Sequence, residues 1–87
     1  MAHKDLKFNE DARRALERGV NVLDTGDFYG MGRNELLVGK ALQGRRDKAL
    51  LSVKFGLQRG PDGAVLGYDA RPQAVKNALA HSLSRLG

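Results

Sequence analysis

An α/β chain is what these 87 residues predict, and three observations carry that prediction. Two strand-length apolar runs, residues 20–24 and 49–55, are separated by a helical pattern over residues 35–43. The second run is apolar on both faces apart from Ser52 and Lys54, as in parallel strands covered by helices. Helical patterns also stand outside the pair, before Val20 and after Pro72. The order is helix, strand, helix, strand, helix, and two parallel strands joined through a helix make one right-handed βαβ unit.

Each element has its own signal. Phe8, Ala12, Ala15 and Leu16 recur at helical spacing, with Asn9 placed as an N-cap and Gly19 as the stop, which predicts a helix over residues 10–18. The polar, short stretch 1–8 is expected to be disordered. A strand over 20–24 leads into a glycine-punctuated loop, 25–33, with Asp24 at the strand's last position. Asn34 caps a second helix, 35–43, whose apolar positions are Leu36, Leu37, Val38, Ala41 and Leu42. After the second strand, Gly60-Pro61-Asp62-Gly63 marks a turn and the tip of a small hairpin within the loop 56–71. Pro72 opens a third helix that runs to Leu86, with Asp69 in the place of an N-cap and Val75, Leu79, Leu83 and Leu86 along one face.

Composition narrows the classes of function. The chain has room for one small domain at most. It has no cysteine and only His3 and His81, so a disulfide framework or a metal centre is not expected. No apolar stretch reaches membrane-spanning length and the N-terminus lacks a secretory signal, so a soluble cytoplasmic protein is expected, without membrane partners. The net charge of +5 favours acidic partners such as a phosphorylated cofactor. The basic residues are scattered, with no aromatic-rich patch, so nucleic acid is not an expected partner.

Lys54 is the residue that points to chemistry. A lysine near the end of an apolar strand is costly to bury unless paired, and Asp24 on the neighbouring strand end is its natural partner. By alternation Lys54 shares a face with Ser52 and Leu50, and Asp24 with Val22 and Val20. Where both faces point the same way, the charges meet. Tyr29 arrives from the loop between the strands. A neighbouring ammonium stabilises a phenolate and makes the hydroxyl a better acid, so Asp24, Tyr29 and Lys54 together suit protonation of a carbonyl oxygen as hydride reaches the carbon.

The segment from Ala15 to Gly30, ending Asp24-Thr25-Gly26-Asp27-Phe28-Tyr29-Gly30, resembles the part of aldo-keto reductases that supplies their catalytic aspartate and tyrosine. Asn34-Glu35-Leu36-Leu37-Val38-Gly39-Lys40-Ala41-Leu42 resembles the helix that follows, and Leu51-Ser52-Val53-Lys54-Phe55-Gly56 the strand with the catalytic lysine. The closing Ser-Leu-Ser-Arg-Leu-Gly is similar too. The resemblance implies a partial (β/α)₈ TIM barrel and NADPH-dependent reduction of aldehydes or ketones. It implies Tyr29 as proton donor, Lys54 as the group that acidifies it, and Asp24 as the residue that orients Lys54 and borders the nicotinamide ribose. The family's fourth catalytic residue, a histidine on a later strand, has no counterpart here, and His81 lies on a helix. The chain is therefore read as a segment of a reductase, inactive by itself, with two open-edged strands that leave it loose or prone to associate.

Two other classes stay open. A non-catalytic NADPH-binding module would keep the shape without turnover. Asp24-Thr25-Gly26 also matches the signature of retroviral-type aspartic proteases, which are nearly all-β and pair two aspartates across a dimer.

Overall fold

The computed structural model describes residues 3–87, with side chains described from Glu10 onward. Its elements run α1 (His3–Glu17), β1 (Val22–Gly26), α2 (Arg33–Ala41), β2 (Leu50–Lys54), a hairpin of β3 (Leu57–Arg59) and β4 (Val65–Tyr68), and α3 (Pro72–Leu86). Short 3₁₀ turns, Tyr29–Gly32 and Arg46–Lys48, precede α2 and β2.

The first helix starts earlier than its apolar spacing suggests. His3 to Phe8 form its opening turns instead of a disordered lead-in, and Asn9 lies inside the helix instead of capping it. Met1 and Ala2 lie outside the described residues. The stretch has no glycine or proline, and its lysine and leucine residues sustain a helix through an asparagine that costs only a few tenths of a kcal/mol. Gly19, at φ +98°, ends the helix as expected, with its N–H donating to Leu16 O at 3.1 Å.

The strands β1 and β2 pair in parallel, Val22 with Leu50, Asp24 with Ser52 and Gly26 with Lys54. The first strand begins and ends two residues later than expected. Val20 N–H still bonds Ala15 O at 3.1 Å, and the ladder starts where Leu50 N–H meets Asn21 O at 2.7 Å. It runs on past Gly26, because Asp27 N–H donates to Lys54 O at 2.9 Å. Asp24 is thus mid-strand, not terminal.

Two expected caps are replaced. The N-cap of α2 is Gly32, at φ +99°, and Asn34 sits in the first turn with its side-chain oxygen taken up by the Thr25 hydroxyl. The N-cap of α3 is Arg71, without a side-chain cap bond. Asp69 instead accepts Arg71 N–H at 3.2 Å and clasps its guanidinium at 2.9 and 2.7 Å, which holds the Asp69 carboxyl down at about 2. The expected hairpin tip is present: Gly63 N–H bonds Gly60 O at 2.9 Å and Ala64 N–H bonds Asp62 Oδ1 at 3.0 Å.

All three helices lie against one face of the β1–β2 pair. Val38, Leu42 and Leu86 form the buried cluster, with Leu16, Leu23, Ala49, Leu51 and Val53 packed around it. The opposite face carries Val22, Asp24, Leu50, Ser52 and Lys54, and is open: Val22 is 52% exposed and Leu50 70%. On α3 the buried positions are Ser82 and Leu86, whereas Leu79 and Leu83 are more than half exposed beside a groove of about 360 Å³ against Leu51, Val53 and Phe55. The face expected from spacing is correct at Leu86 and rotated at Leu79 and Leu83. Among the described residues, no helix is long and apolar enough to cross a membrane.

Helix α2 meets α3 through Gly39. A Cβ there would stand 2.6 Å from Arg85 O and 3.0 Å from Leu86 O, both backbone atoms of the last turn of α3. Gly39→Ala gains roughly 1 kcal/mol of helix propensity but forces the helices apart, an overpacking cost of roughly 1–3 kcal/mol. A lower urea midpoint for Gly39→Ala, by equilibrium circular dichroism, is the expected outcome.

Candidate active site

The open sheet face brings the three residues singled out in the sequence into one neighbourhood. Asp24 and Lys54 project from adjacent strands, offset by two pairs along the ladder, and the Lys54 ammonium reaches back to donate to Asp24 Oδ2. Both side chains are about half exposed, so water and a ligand have access to them. The Lys54 bond, with help from the Ser52 hydroxyl, holds the Asp24 carboxyl below its ordinary value. In return the Asp24 bond raises the Lys54 ammonium above its own, and the Tyr29 phenol adds to that rise. Lys54 therefore carries a firm positive charge at the strand end.

Tyr29 opens the 3₁₀ turn that follows β1. Its ring rests on Gly26, where a Cβ would meet Tyr29 Cε2 at 3.1 Å and Cδ2 at 3.2 Å. Since Gly26 is the ladder partner of Lys54, the ring sits on the same rung as the lysine. Phe28 packs against it with ring centroids 4.6 Å apart and planes tilted by 57°. The hydroxyl-bearing residue remains 41% exposed, on the open side.

The loop that carries Tyr29 is tied down at both ends. Thr25, fully buried, donates its hydroxyl to Asn34 Oδ1 across the loop, while the Asp27 backbone bonds the Lys54 carbonyl. Between these ties the chain turns through three successive left-handed residues: Gly30 at φ +57°, Met31 at +56° and Gly32 at +99°. Two glycines take this conformation freely, whereas Met31 bears a side chain there at a cost of about 1–2 kcal/mol.

Beneath the loop lies a charged cluster the sequence reading missed. Glu35 is 0% exposed, and its Oε1 accepts from Arg85 Nε at 2.6 Å and pairs with the terminal guanidinium nitrogen at 2.5 Å. The Glu35 Oε2 and Asp27 Oδ1 atoms are buried without a hydrogen-bond partner. Burial, then the Glu35 charge, pushes the Asp27 carboxyl above its ordinary value, and Arg85 offsets part of the rise. Two signals were available: Thr25 is polar on the helix-facing side of its strand, and Glu35 shares a helix stripe with Val38 and Leu42. Nothing in the sequence linked Glu35 to Arg85, fifty residues on. Among the described residues no group of acidic and histidine side chains could hold a metal ion, and His81 lines a cleft of about 290 Å³ together with Asp27, Met31 and Arg85.

The protease reading needs a nearly all-β chain, and the described residues hold three α-helices around a parallel strand pair. Thr25 is also committed to Asn34. The triplet is coincidental.

Comparison with known proteins gives the family and the fold. Residues 3–87 match the profile of the "Aldo/keto reductase family". The chain is 45% identical over 73 residues to the uncharacterized oxidoreductase YqkF of Bacillus subtilis, matching 83% of this chain and 24% of that protein. It is 36% identical over 75 residues to the aldo-keto reductase yakc [NADP(+)] of Schizosaccharomyces pombe, matching 84% of this chain and 22% of that one. The holo form of aldo-keto reductase AKR11C1 from Bacillus halodurans superposes with a TM-score of 0.79 at 40% identity, over 94% of this chain and 28% of that one. The chain thus spans about a quarter of the length of the curated relatives it matches.

An ionised Asp27 is less favourable in the fold than in the unfolded chain, because its folded value is raised. Its burial therefore costs stability above that raised value, and the cost fades as pH falls towards the ordinary 3.8. Asp27→Asn is expected to raise the thermal midpoint near neutral pH, with the gain shrinking on acidification, in paired melts across pH.

Proposed function

This chain belongs to the aldo/keto reductase family, and we propose that it supplies the proton-handling side of NADPH-dependent reduction of aldehydes or ketones to alcohols. The family and its oxidoreductase members support the general activity. The observation that supports the proton-handling role is the Lys54–Asp24 pair on the open face, with the solvent-open Tyr29 ring resting on Gly26, the ladder partner of Lys54. The α/β segment of two parallel strands and three helices matches part of the (β/α)₈ barrel of aldo-keto reductases.

The residues present fit the cofactor's reactive end. The Asp24 carboxylate is half exposed on the open face, so a ribose hydroxyl has an acceptor there. The relative from S. pombe carries NADP(+) in its name, which favours the phosphorylated dinucleotide. When bound, that dinucleotide provides the hydride; the chain's own side chains manage the proton. Tyr29 donates its phenolic proton to the carbonyl oxygen as the carbon is reduced, so the product leaves as a neutral alcohol. The phenolate left behind is stabilised by the Lys54 ammonium, and Asp24 holds that ammonium over the open sheet face. A cation already fixed where negative charge develops needs no reorganisation at the moment of reaction, which is electrostatic preorganisation.

The test is a graft. Residues 10–87 replace the matching segment of the B. halodurans reductase, and NADPH oxidation is followed with p-nitrobenzaldehyde. Tyr29→Phe is expected to lower kcat by roughly 10²–10⁴ with KM little changed, the usual contribution of a general acid. Lys54→Met should act in the same direction. A Tyr29→Phe graft with unaltered kcat would remove the proposal. The 87-residue chain alone should show no turnover, since a proton donor without a held hydride donor has nothing to act on.

A further inference from the structure

We propose that Arg85, in the last turn of α3, is a positioning residue for Tyr29. The proposal rests on the reductase reading for its chemical meaning, and on geometry alone for its test. Three contacts converge on this side chain. Its guanidinium grips the buried Glu35 in the first turn of α2 at 2.6 and 2.5 Å. Its stem fills the space beneath Gly32: a Cβ there would meet Arg85 Cδ and Nε, each at 3.3 Å. Its charge faces Asp27, the residue whose backbone ties the loop to Lys54. Gly32 and Asp27 bracket the turn on which Tyr29 sits.

The turn is of a kind that needs support from its surroundings. Its left-handed run, Gly30 to Gly32, is an unfavourable conformation at Met31, and such conformations persist only where surroundings over-determine them. Arg85 is the support, planar and charged, that occupies the hollow. It passes from α3 across Gly32 to Glu35 and so connects three elements at the foot of the loop. An exposed arginine could not do this, because side-chain entropy and water would compete for the fork. Here Glu35 is fully buried and Arg85 mostly so. Loss of the fork frees Gly32 and lets the turn, with the Tyr29 ring, move off Gly26. The function assigned to Arg85 is indirect: it touches no reacting atom, and it determines where the phenol stands relative to Lys54.

The 87-residue chain is compared by NMR with two variants. Arg85→Lys keeps the charge but loses the fork. Glu35→Gln with Arg85→Met removes both charges, so that neither is left buried alone and the fold is retained. The amide exchange of Asp27 and Met31 reports loop docking, the amides of the β1–β2 ladder report global stability, and the nuclear Overhauser contact between the Tyr29 ring and the Gly26 α-protons reports the position of the phenol. Both variants are expected to accelerate exchange at Asp27 and Met31 at least tenfold relative to the ladder and to weaken the ring contact, with the lysine variant intermediate. Exchange that rises equally at ladder and loop, or an unchanged ring contact in the double variant, would overturn the proposal. In the grafted reductase the double variant should lower kcat with KM unchanged. If the graft is active and Tyr29→Phe has no effect, the reductase role of Tyr29 fails while the NMR outcome still decides whether Arg85 sets its position.

Discussion

A carboxylate with no access to water has to be matched, and Glu35 is matched by Arg85. Removing one partner of such a pair typically costs 3–5 kcal/mol, because the survivor keeps its charge and loses its compensation. A chain of this size has a total stability of roughly 4–13 kcal/mol. The pair therefore dictates how α2, α3 and the loop after β1 sit together. The apolar cluster of Val38, Leu42 and Leu86 holds the helices on the sheet, but apolar contact is non-directional. Orientation comes from the fork and from the close approach at Gly39.

Two of the ion pairs in this chain serve opposite ends. Glu35–Arg85 is closed to solvent and joins elements fifty residues apart. Asp24–Lys54 is half open, with surroundings that stay polar and adjustable. As a stabilising contact the second pair is weak, since water screens it. As a way of holding a cation over one face of a sheet it is effective, because both residues spring from paired strands. The contrast separates a pair that joins buried elements from one that stays open to solvent on the face that carries Tyr29.

The sequence made a good part of this legible. The two strands, their parallel order, the three helices and the meeting of Asp24 with Lys54 follow from period-two alternation and apolar runs, which depend on neighbours close in the chain. The boundaries did not follow. Strand β1 slides two residues because its register is fixed by β2, and α1 extends to His3 because nothing in that stretch breaks a helix. Asn34 looked like a cap and proved to be a hydrogen-bond acceptor for Thr25, a choice made by the fold of the loop and invisible to local pattern. Arg85 was overlooked for the same reason: its partner is distant, and an arginine near a helix C-terminus is ordinarily explained by the helix dipole.

The left-handed turn at Gly30, Met31 and Gly32 has a consequence for sequence change. At each of these positions an L-residue is constrained by its own Cβ, so the turn reads chirality before it reads polarity. Valine, isoleucine and threonine are shut out of position 31 by their branching, whatever their hydrophobicity, and an asparagine would be at home there. Backbone handedness, more than polarity, therefore limits which side chains position 31 can carry beside the tyrosine.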